Sequence, residues 1–175
     1  MTKVLLIGKD GRTDCIADAL ERHGGRLGIV ADFRSPGLRR RASEGFWETS
    51  TDNPREISRI AGELKPDFAV IGPEEPLAAG VVDALLRMQI PCVGPTRALA
   101  QIETSKGFAR DLIDRFNIPG QVRHLSCRTL TEASEFARTL SACMVVKPDG
   151  LTGGKGVRVQ GENFSTIAEG LHYDQ

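Results

Sequence analysis

From Met144 to Val159 the chain reads Met-Val-Val-Lys147-Pro-Asp-Gly150-Leu-Thr-Gly153-Gly154-Lys155-Gly156-Val-Arg-Val159. Two β-branched apolar runs flank a turn that carries four glycines and Lys155, and Lys147 closes the first run. Glycines allow a backbone to turn sharply and approach a ligand, so that successive N–H groups converge on an anion. Two mobile ammonium groups beside those donors suit a polyphosphate. A tight hairpin with a solvated lysine at its tip would need only one or two glycines, and the surplus favours a ligand loop. The loop is not a P-loop. That motif has four residues between its glycines and a Ser or Thr after its lysine, and it opens a helix. Here three residues separate Gly150 from Gly154, Lys155 precedes Gly156, and a strand-like run follows.

Two earlier turns have the residues to meet an anion or a sugar. Gly8-Lys-Asp-Gly11-Arg12 follows the apolar run Lys3–Ile7 and precedes a helical pattern at Ile16, Leu20 and His23. Its glycines serve either a phosphate site or the strand-to-helix turn alone. A dinucleotide fingerprint would need a further glycine where Asp10 stands, although Asp32 lies where a ribose-binding acid would sit. Gly72-Pro73-Glu74-Glu75-Pro76-Leu77 closes the run Phe68–Ile71, at the carboxyl end of a central strand where open α/β sheets bind ligands. Glu75 reads as an acid at a helix N-terminus, and Glu74 as a ligand contact. Lys106 falls in the first turn of a helical stretch, an unfavourable place for a cation unless an anion approaches it.

Strands at 3–7, 27–31, 68–71 and 90–93 alternate with helical patterns, which predicts a doubly wound parallel sheet covered by helices on both faces. Asn53-Pro54 opens one of these helices with Asn as N-cap, Pro at the first position and Glu56 at a capping-box spacing. Its stripe Ile57, Ile60, Ala61 and Leu64 faces the sheet. A helix over 78–88 precedes the fourth strand, and residues 34–53 read as irregular, with Phe46 and Trp47 against the sheet edge. A second α/β unit is expected over 104–175. Its order is a helix at 105–116, a strand at 122–127, a helix at 131–141, strands at 144–147 and 157–159 around the glycine loop, and a helix from about 165.

With 175 residues, 40% apolar and 26% charged, the composition is that of an ordinary globular protein. Its 23 basic and 23 acidic side chains argue against a nucleic-acid or membrane surface. No run reaches the length of a membrane span, and the chain opens on a strand pattern rather than a signal peptide. Cys15, Cys92, Cys127 and Cys143 form no C-x-x-C pair, so they read as buried free thiols of a cytoplasmic protein.

In combination the motifs resemble the phosphoribosylamine–glycine ligase family of ATP-grasp enzymes. The residues that carry the resemblance are Gly72-Pro-Glu-x-Pro-Leu77, Gly94-Pro-Thr96, Glu103-Thr-Ser-Lys106-x-Phe-Ala109, Asn117-Ile-Pro119 and Val146-Lys147-x-Asp-Gly150-Leu-x-x-Gly-Lys-Gly156, in one register. The resemblance implies an N-terminal pre-ATP-grasp, Rossmann-like domain at 1–103 and part of an ATP-grasp domain at 104–175, with the glycine loop as a lid. It implies a ligase of purine biosynthesis: ATP phosphorylates the glycine carboxylate, and the amine of 5-phosphoribosylamine attacks the acyl phosphate. Lys106, Lys147, Gly150, Gly153, Gly154, Lys155 and Gly156 match nucleotide-contacting positions. Gly8, Gly11, Arg12, Gly72, Pro73 and Glu74 match the phosphoribosylamine side.

Two stretches depart from the family pattern. The first turn, usually Gly-x-Gly-Gly-Arg-Glu-His-Ala, here has Asp10, and Thr13-Asp14 replaces the Glu-His pair; the Pro-Gly-Asn-x-Gly loop survives only as Pro36-Gly37-Leu38. The resemblance also places the adenine pocket, the magnesium (or manganese) carboxylates and the glycine site beyond residue 175. The expectation is therefore the N-terminal portion of such a ligase, inactive alone. A nucleotide- or phosphate-binding module without catalysis is the alternative, and a Rossmann-type dinucleotide protein a more distant one.

Overall fold

Val4 and Leu6 pack on one face of the first strand and Leu5 and Ile7 on the other, and all four are buried. Side chains alternate along a strand, so a strand that is apolar on both faces must lie between two covering layers. The computed structural model describes residues 1–141, 143–153 and 155–172. The chain divides into two units, Met1–Gln101 and Ile102–Gln175.

The first unit begins β1 (Lys3–Ile7), α1 (Gly11–Arg22), β2 (Arg26–Ala31), α2 (Pro36–Arg41), β3 (Gly45–Glu48) and α3 (Pro54–Leu64). It continues β4 (Phe68–Ile71), α4 (Glu74–Ala79), α5 (Val81–Arg87) and β5 (Cys92–Val93), and α6 (Arg97–Thr104) crosses the boundary between the units. The sheet has the order β3-β2-β1-β4-β5, and every pairing is parallel. Ile7 pairs with Val30 on one side and Ile71 on the other, so the carboxyl ends of β1, β2 and β4 lie level. Ile57, Ile60 and Leu64 of α3 and Val81, Val82 and Leu85 of α5 cover one face, while Ile16, Ala17 and Leu20 of α1 and Leu38 of α2 cover the other. The doubly wound parallel sheet expected from the alternating runs is present.

Several local expectations are corrected. Residues 34–53 are not irregular: they form α2 and the edge strand β3, so Phe46 and Trp47 belong to the sheet instead of lying against it. The helix expected over 78–88 starts earlier and is broken at Gly80, whose φ of +85° ends α4 and begins α5. Asn53 does cap α3, accepting from the N–H groups of Arg55 and Glu56, but the Glu56 carboxylate accepts from Arg59 and does not complete a capping box. The four cysteines are free, as expected, yet Cys15, Cys127 and Cys143 are exposed.

The second unit comprises α7 (Lys106–Arg115), α8 (Leu130–Arg138), β6 (Val145–Val146), β7 (Arg158–Val159) and α9 (Ile167–Leu171). The strands pair antiparallel, Val145 with Val159 and Val146 with Arg158. Met144, Ala137 and Phe164 form its small core, with Leu140, Ile167 and Leu171 packed around them. Residues 122–127, expected as a strand, are irregular. Val122 and Leu125 there are 57% and 50% exposed, and no described strand pairs with them.

Candidate functional site

At the switch point of the first sheet, β1 ends in Gly8 and β4 in Gly72, and the two turns meet over Thr13. Gly8 N–H donates to the Val30 carbonyl at 3.0 Å, and Gly72 N–H to the Ile7 carbonyl at 2.9 Å, extending the ladder on both sides of β1. A Cβ on Gly8 would lie 2.3 Å from the Thr13 hydroxyl oxygen and 3.0 Å from Pro73 Cδ, and one on Gly72 would lie 2.9 Å from the same hydroxyl. Both glycines are therefore required by close approach. Thr13 is fully buried.

Asp10 is the N-cap of α1. One carboxylate oxygen accepts from the Thr13 N–H at 2.9 Å and the Thr13 hydroxyl at 2.8 Å, and the other from Arg12 Nε at 2.7 Å. Burial by itself would raise the Asp10 carboxyl, but the Thr13 and Arg12 hydrogen bonds outweigh it and hold it at about 2. Arg12 also donates to Glu74 at 3.2 Å, so Arg12 and Glu74 meet across the two turns. Gly11 begins α1 with open space around it. Beside this group Lys9 donates to Asp32 at 2.7 Å, and Asp32 accepts from the Thr51 N–H at 2.7 Å. The Asp32 hydrogen bond is the largest influence raising Lys9. Burial would raise Asp32, and the bonds from Lys9 and Thr51 bring it below its ordinary value. The edge thus presents exposed Arg12 and partly exposed Lys9 among carboxylates, a polar surface able to donate to a phosphate and accept from hydroxyls.

In the second unit the glycine stretch connects β6 to β7 over residues 147–157. That is far longer than a two-residue turn. Lys147 is exposed just after β6. Gly150 and Gly153 have φ of +91° and +57° with open space around them, and a turn closes by the Lys155 N–H donating to the Thr152 carbonyl at 3.1 Å. Gly156 is buried, and a Cβ there would lie 2.6 Å from the Thr152 hydroxyl oxygen. Gly154 lies outside the described residues. Lys106 and Gly150 come together: the Lys106 ammonium donates to the Gly150 carbonyl at 2.6 Å.

Two contributors escaped the sequence reading. Asp149 places a carboxylate at the start of α7: it accepts from the Lys106 N–H at 2.7 Å, the Gly107 N–H at 3.4 Å and the Ser105 hydroxyl at 3.0 Å. Nothing in its local pattern announces this, because its partners lie more than 40 residues away. Asp10 stands where a dinucleotide fingerprint has a glycine, yet an Asp three residues before Thr13 also has N-cap spacing. Among the described residues no group of three or more His, Cys, Asp or Glu side chains is disposed to hold a metal ion. A 310 Å³ cleft in the second unit is lined by Asp114, Gln121, Val122, Arg123, His124 and Phe136, and contains none of the residues singled out from the sequence.

A parallel sheet with its polar edge at the β1–β4 switch point, followed in sequence by an α/β unit with a lysine at a helix start and a lysine- and glycine-bearing loop, defines an ATP-grasp-type α/β protein. Solved structures agree on the fold. Phosphoribosylamine–glycine ligase from Thermotoga maritima matches with a TM-score of 0.69 at 22% identity, covering 97% of this chain and 37% of that one. ATP-complexed carboxyaminoimidazole ribonucleotide synthase from Aspergillus clavatus matches with a TM-score of 0.75 at 16% identity, covering 97% and 44%. The sequence profile of the phosphoribosylglycinamide synthetase N domain matches residues 2–103, and that of its ATP-grasp (A) domain residues 104–172. The chain belongs to the phosphoribosylglycinamide synthetase family. Among curated relatives, the phosphoribosylamine–glycine ligases of Methanocorpusculum labreanum and Pyrococcus furiosus are 44% and 42% identical over 91% and 99% of this chain. The chain spans only 37% and 39% of the length of these two proteins.

Proposed function

We propose that this chain is the N-terminal part of a ligase that uses ATP to join glycine to 5-phosphoribosylamine, giving glycinamide ribonucleotide for purine biosynthesis. In this reading residues 1–103 act as the pre-ATP-grasp domain and 104–175 as part of the ATP-grasp domain. Gly8, Gly11, Arg12, Gly72, Pro73 and Glu74 serve phosphoribosylamine. Lys106, Lys147, Gly150, Gly153, Gly154, Lys155 and Gly156 serve the phosphates of ATP. The observation that carries the reading is the contact between Lys106 and Gly150, which puts a helix-borne ammonium at the root of the glycine loop. The identity to named ligases along nearly the whole chain supports it.

Phosphoryl transfer depends on positioning and on compensation of charge at the transferring group. Lys106 and Lys147 provide cations, and the loop backbone provides N–H donors and exclusion of water. At the other substrate, Arg12 donates to a phosphate and Glu74 accepts from ribose hydroxyls. Among the described residues no three or more His, Cys, Asp or Glu side chains gather as metal ligands, and no step is routed through a metal. A nucleotide-binding role without turnover is the second reading for the chain by itself.

The test is calorimetric titration of the 175-residue chain with ATP, alongside an assay of ADP release dependent on glycine and phosphoribosylamine. Binding of ATP without turnover, weakened in Lys147→Ala by about 1–3 kcal/mol, is expected. ATP affinity equal in the wild type and Lys147→Ala would overturn the nucleotide assignment. Sustained turnover above that control would show that the chemistry is complete within these residues.

A further inference from the structure

We propose that Asp149 is a positioning residue for the nucleotide: its carboxylate, rather than a ligand phosphate, closes the N-terminus of α7, and it thereby fixes the root of the glycine loop against Lys106. This rests on the reading of Lys106 and the loop as ATP-phosphate contacts. It adds how they are held and what a phosphate must displace.

The clasp is reciprocal. The Asp149 side chain accepts from the backbone N–H groups of Lys106 (2.7 Å), Gly107 (3.4 Å) and Gly150 (3.0 Å) and from the Ser105 hydroxyl (3.0 Å). The Lys106 side chain answers by donating to the Gly150 carbonyl at 2.6 Å. Asp149 is exposed, where water competes for each bond and any one of them is weak, so the clasp depends on their number. Burial would raise the Asp149 carboxyl, but these donors bring it below its ordinary value, so it remains an anion throughout the neutral range. The first N–H groups of a helix have no partners within it, and a carboxylate there also meets the positive end of the helix dipole.

Two consequences follow for a polyphosphate. The amides that open α7 are already occupied, so a phosphate meets the Lys106 ammonium and not the helix N-terminus. To reach a phosphate, that ammonium must leave the Gly150 carbonyl. Gly150 and Gly153 beyond it have positive φ and open space where a Cβ would lie, so the backbone there can turn once that bond is released while Asp149 keeps the root in place. Nucleotide capture and loop movement are thus coupled through Lys106, with Asp149 holding the pivot.

The experiment uses the ¹⁵N-labelled 175-residue chain and a non-hydrolysable ATP analogue. Amide exchange at Lys106, Gly107 and Gly150 reads the clasp, calorimetry reads affinity, and thermal melts report folding. In Asp149→Ala these amides should lose protection and the analogue should bind about tenfold more weakly, the scale of one net hydrogen bond. Asp149→Asn keeps an acceptor oxygen and should recover most of both. Lys106→Met should lose affinity while the Lys106 and Gly107 amides stay protected, because their bonds to Asp149 do not use the ammonium. Unchanged protection in Asp149→Ala overturns the clasp. Lost protection with unchanged affinity, in protein that melts normally, overturns the positioning role and leaves only a helix cap. A wild-type chain that binds no analogue overturns the nucleotide reading and the positioning role with it, while amide exchange still decides whether the clasp exists.

Discussion

The Thr13 hydroxyl oxygen stands 2.3 Å from where a Cβ on Gly8 would lie, at the end of the central strand of the first sheet. Gly8 is thus needed for packing before any ligand is considered. Gly8→Ala should destabilise the first unit by about 1–3 kcal/mol, the usual scale of overpacking a filled site. Urea denaturation followed by Trp47 fluorescence measures this, because the chain's one tryptophan sits on β3 of this unit. The cost should be smaller when Gly8→Ala is combined with Thr13→Ala, since the clashing atom is then gone. Equal costs in the two backgrounds would place the strain elsewhere.

Asp10 leads to a pH prediction whose sign is set by its lowered value. Its carboxyl sits at about 2 in the folded chain against an ordinary value of 3.8. The stabilisation is therefore complete above the unfolded value and is lost as pH falls from about 4 towards 2. Asp10→Asn preserves the N-cap, because Asn and Asp cap about equally well, but removes the titration. The stability gap between wild type and variant should narrow over that acid range in urea melts read at Trp47. A gap that stays constant from pH 5 to pH 2 would exclude Asp10 as the source. Asp10→Ala should cost about 1 kcal/mol at neutral pH through loss of the cap.

The parallel sheet was legible because Val4, Leu5, Leu6 and Ile7 are apolar without interruption, which only a strand covered on both faces tolerates. The cap at Asn53 was legible for the same local reason: its acceptor bonds N–H groups two and three residues ahead. What escaped depends on distant partners. The β3 residues become a strand by pairing with β2, and a four-residue run with Gly45 at its start shows little by itself. Conversely, residues 122–127 have a strand-like pattern, but a strand forms only where a neighbour accepts its hydrogen bonds. The candidate site divides the same way. Gly8, Gly72 and the glycine loop announce themselves by composition, whereas the roles of Thr13 and Asp149 come from residues that folding brings to them.

The pairing of Arg12 with Glu74 separates a structural role from a binding role. Exposed ion pairs contribute about 0–1 kcal/mol to stability, and the Arg12 side chain is 62% exposed. Arg12→Ala should therefore leave the denaturation midpoint nearly unchanged. If Arg12 meets the phosphate of phosphoribosylamine, the same variant should weaken binding of ribose 5-phosphate by about 1.5–3 kcal/mol, the scale of a hydrogen bond to a charged group. Glu74→Gln keeps an acceptor for ribose hydroxyls and should have the milder effect. A large stability loss in Arg12→Ala with unaltered ligand affinity would make the pair structural.

The glycine loop yields the sharpest contrast between positions only a few residues apart. Lys147 is exposed at the loop's start, so its removal disturbs no packing. Lys147→Ala should lower affinity for an ATP analogue by about 1–3 kcal/mol while leaving the thermal midpoint in place. Gly156 is buried against Thr152, where a Cβ would come within 2.6 Å of the side-chain oxygen. Gly156→Ala must therefore shift the loop and should lower stability and affinity together. Gly150 lies between these extremes: its φ of +91° strains any other residue, but nothing stands within 4 Å of a new Cβ. Gly150→Ala should cost about 1–2 kcal/mol of backbone strain without a clash. The expected order of stability loss is Gly156→Ala at least as great as Gly150→Ala, with Lys147→Ala near zero, whereas all three lose nucleotide affinity. Paired melts and analogue titrations read both columns. A Lys147→Ala variant that binds the analogue like the wild type, beside glycine variants that lose only stability, would reduce the loop to a connection between β6 and β7.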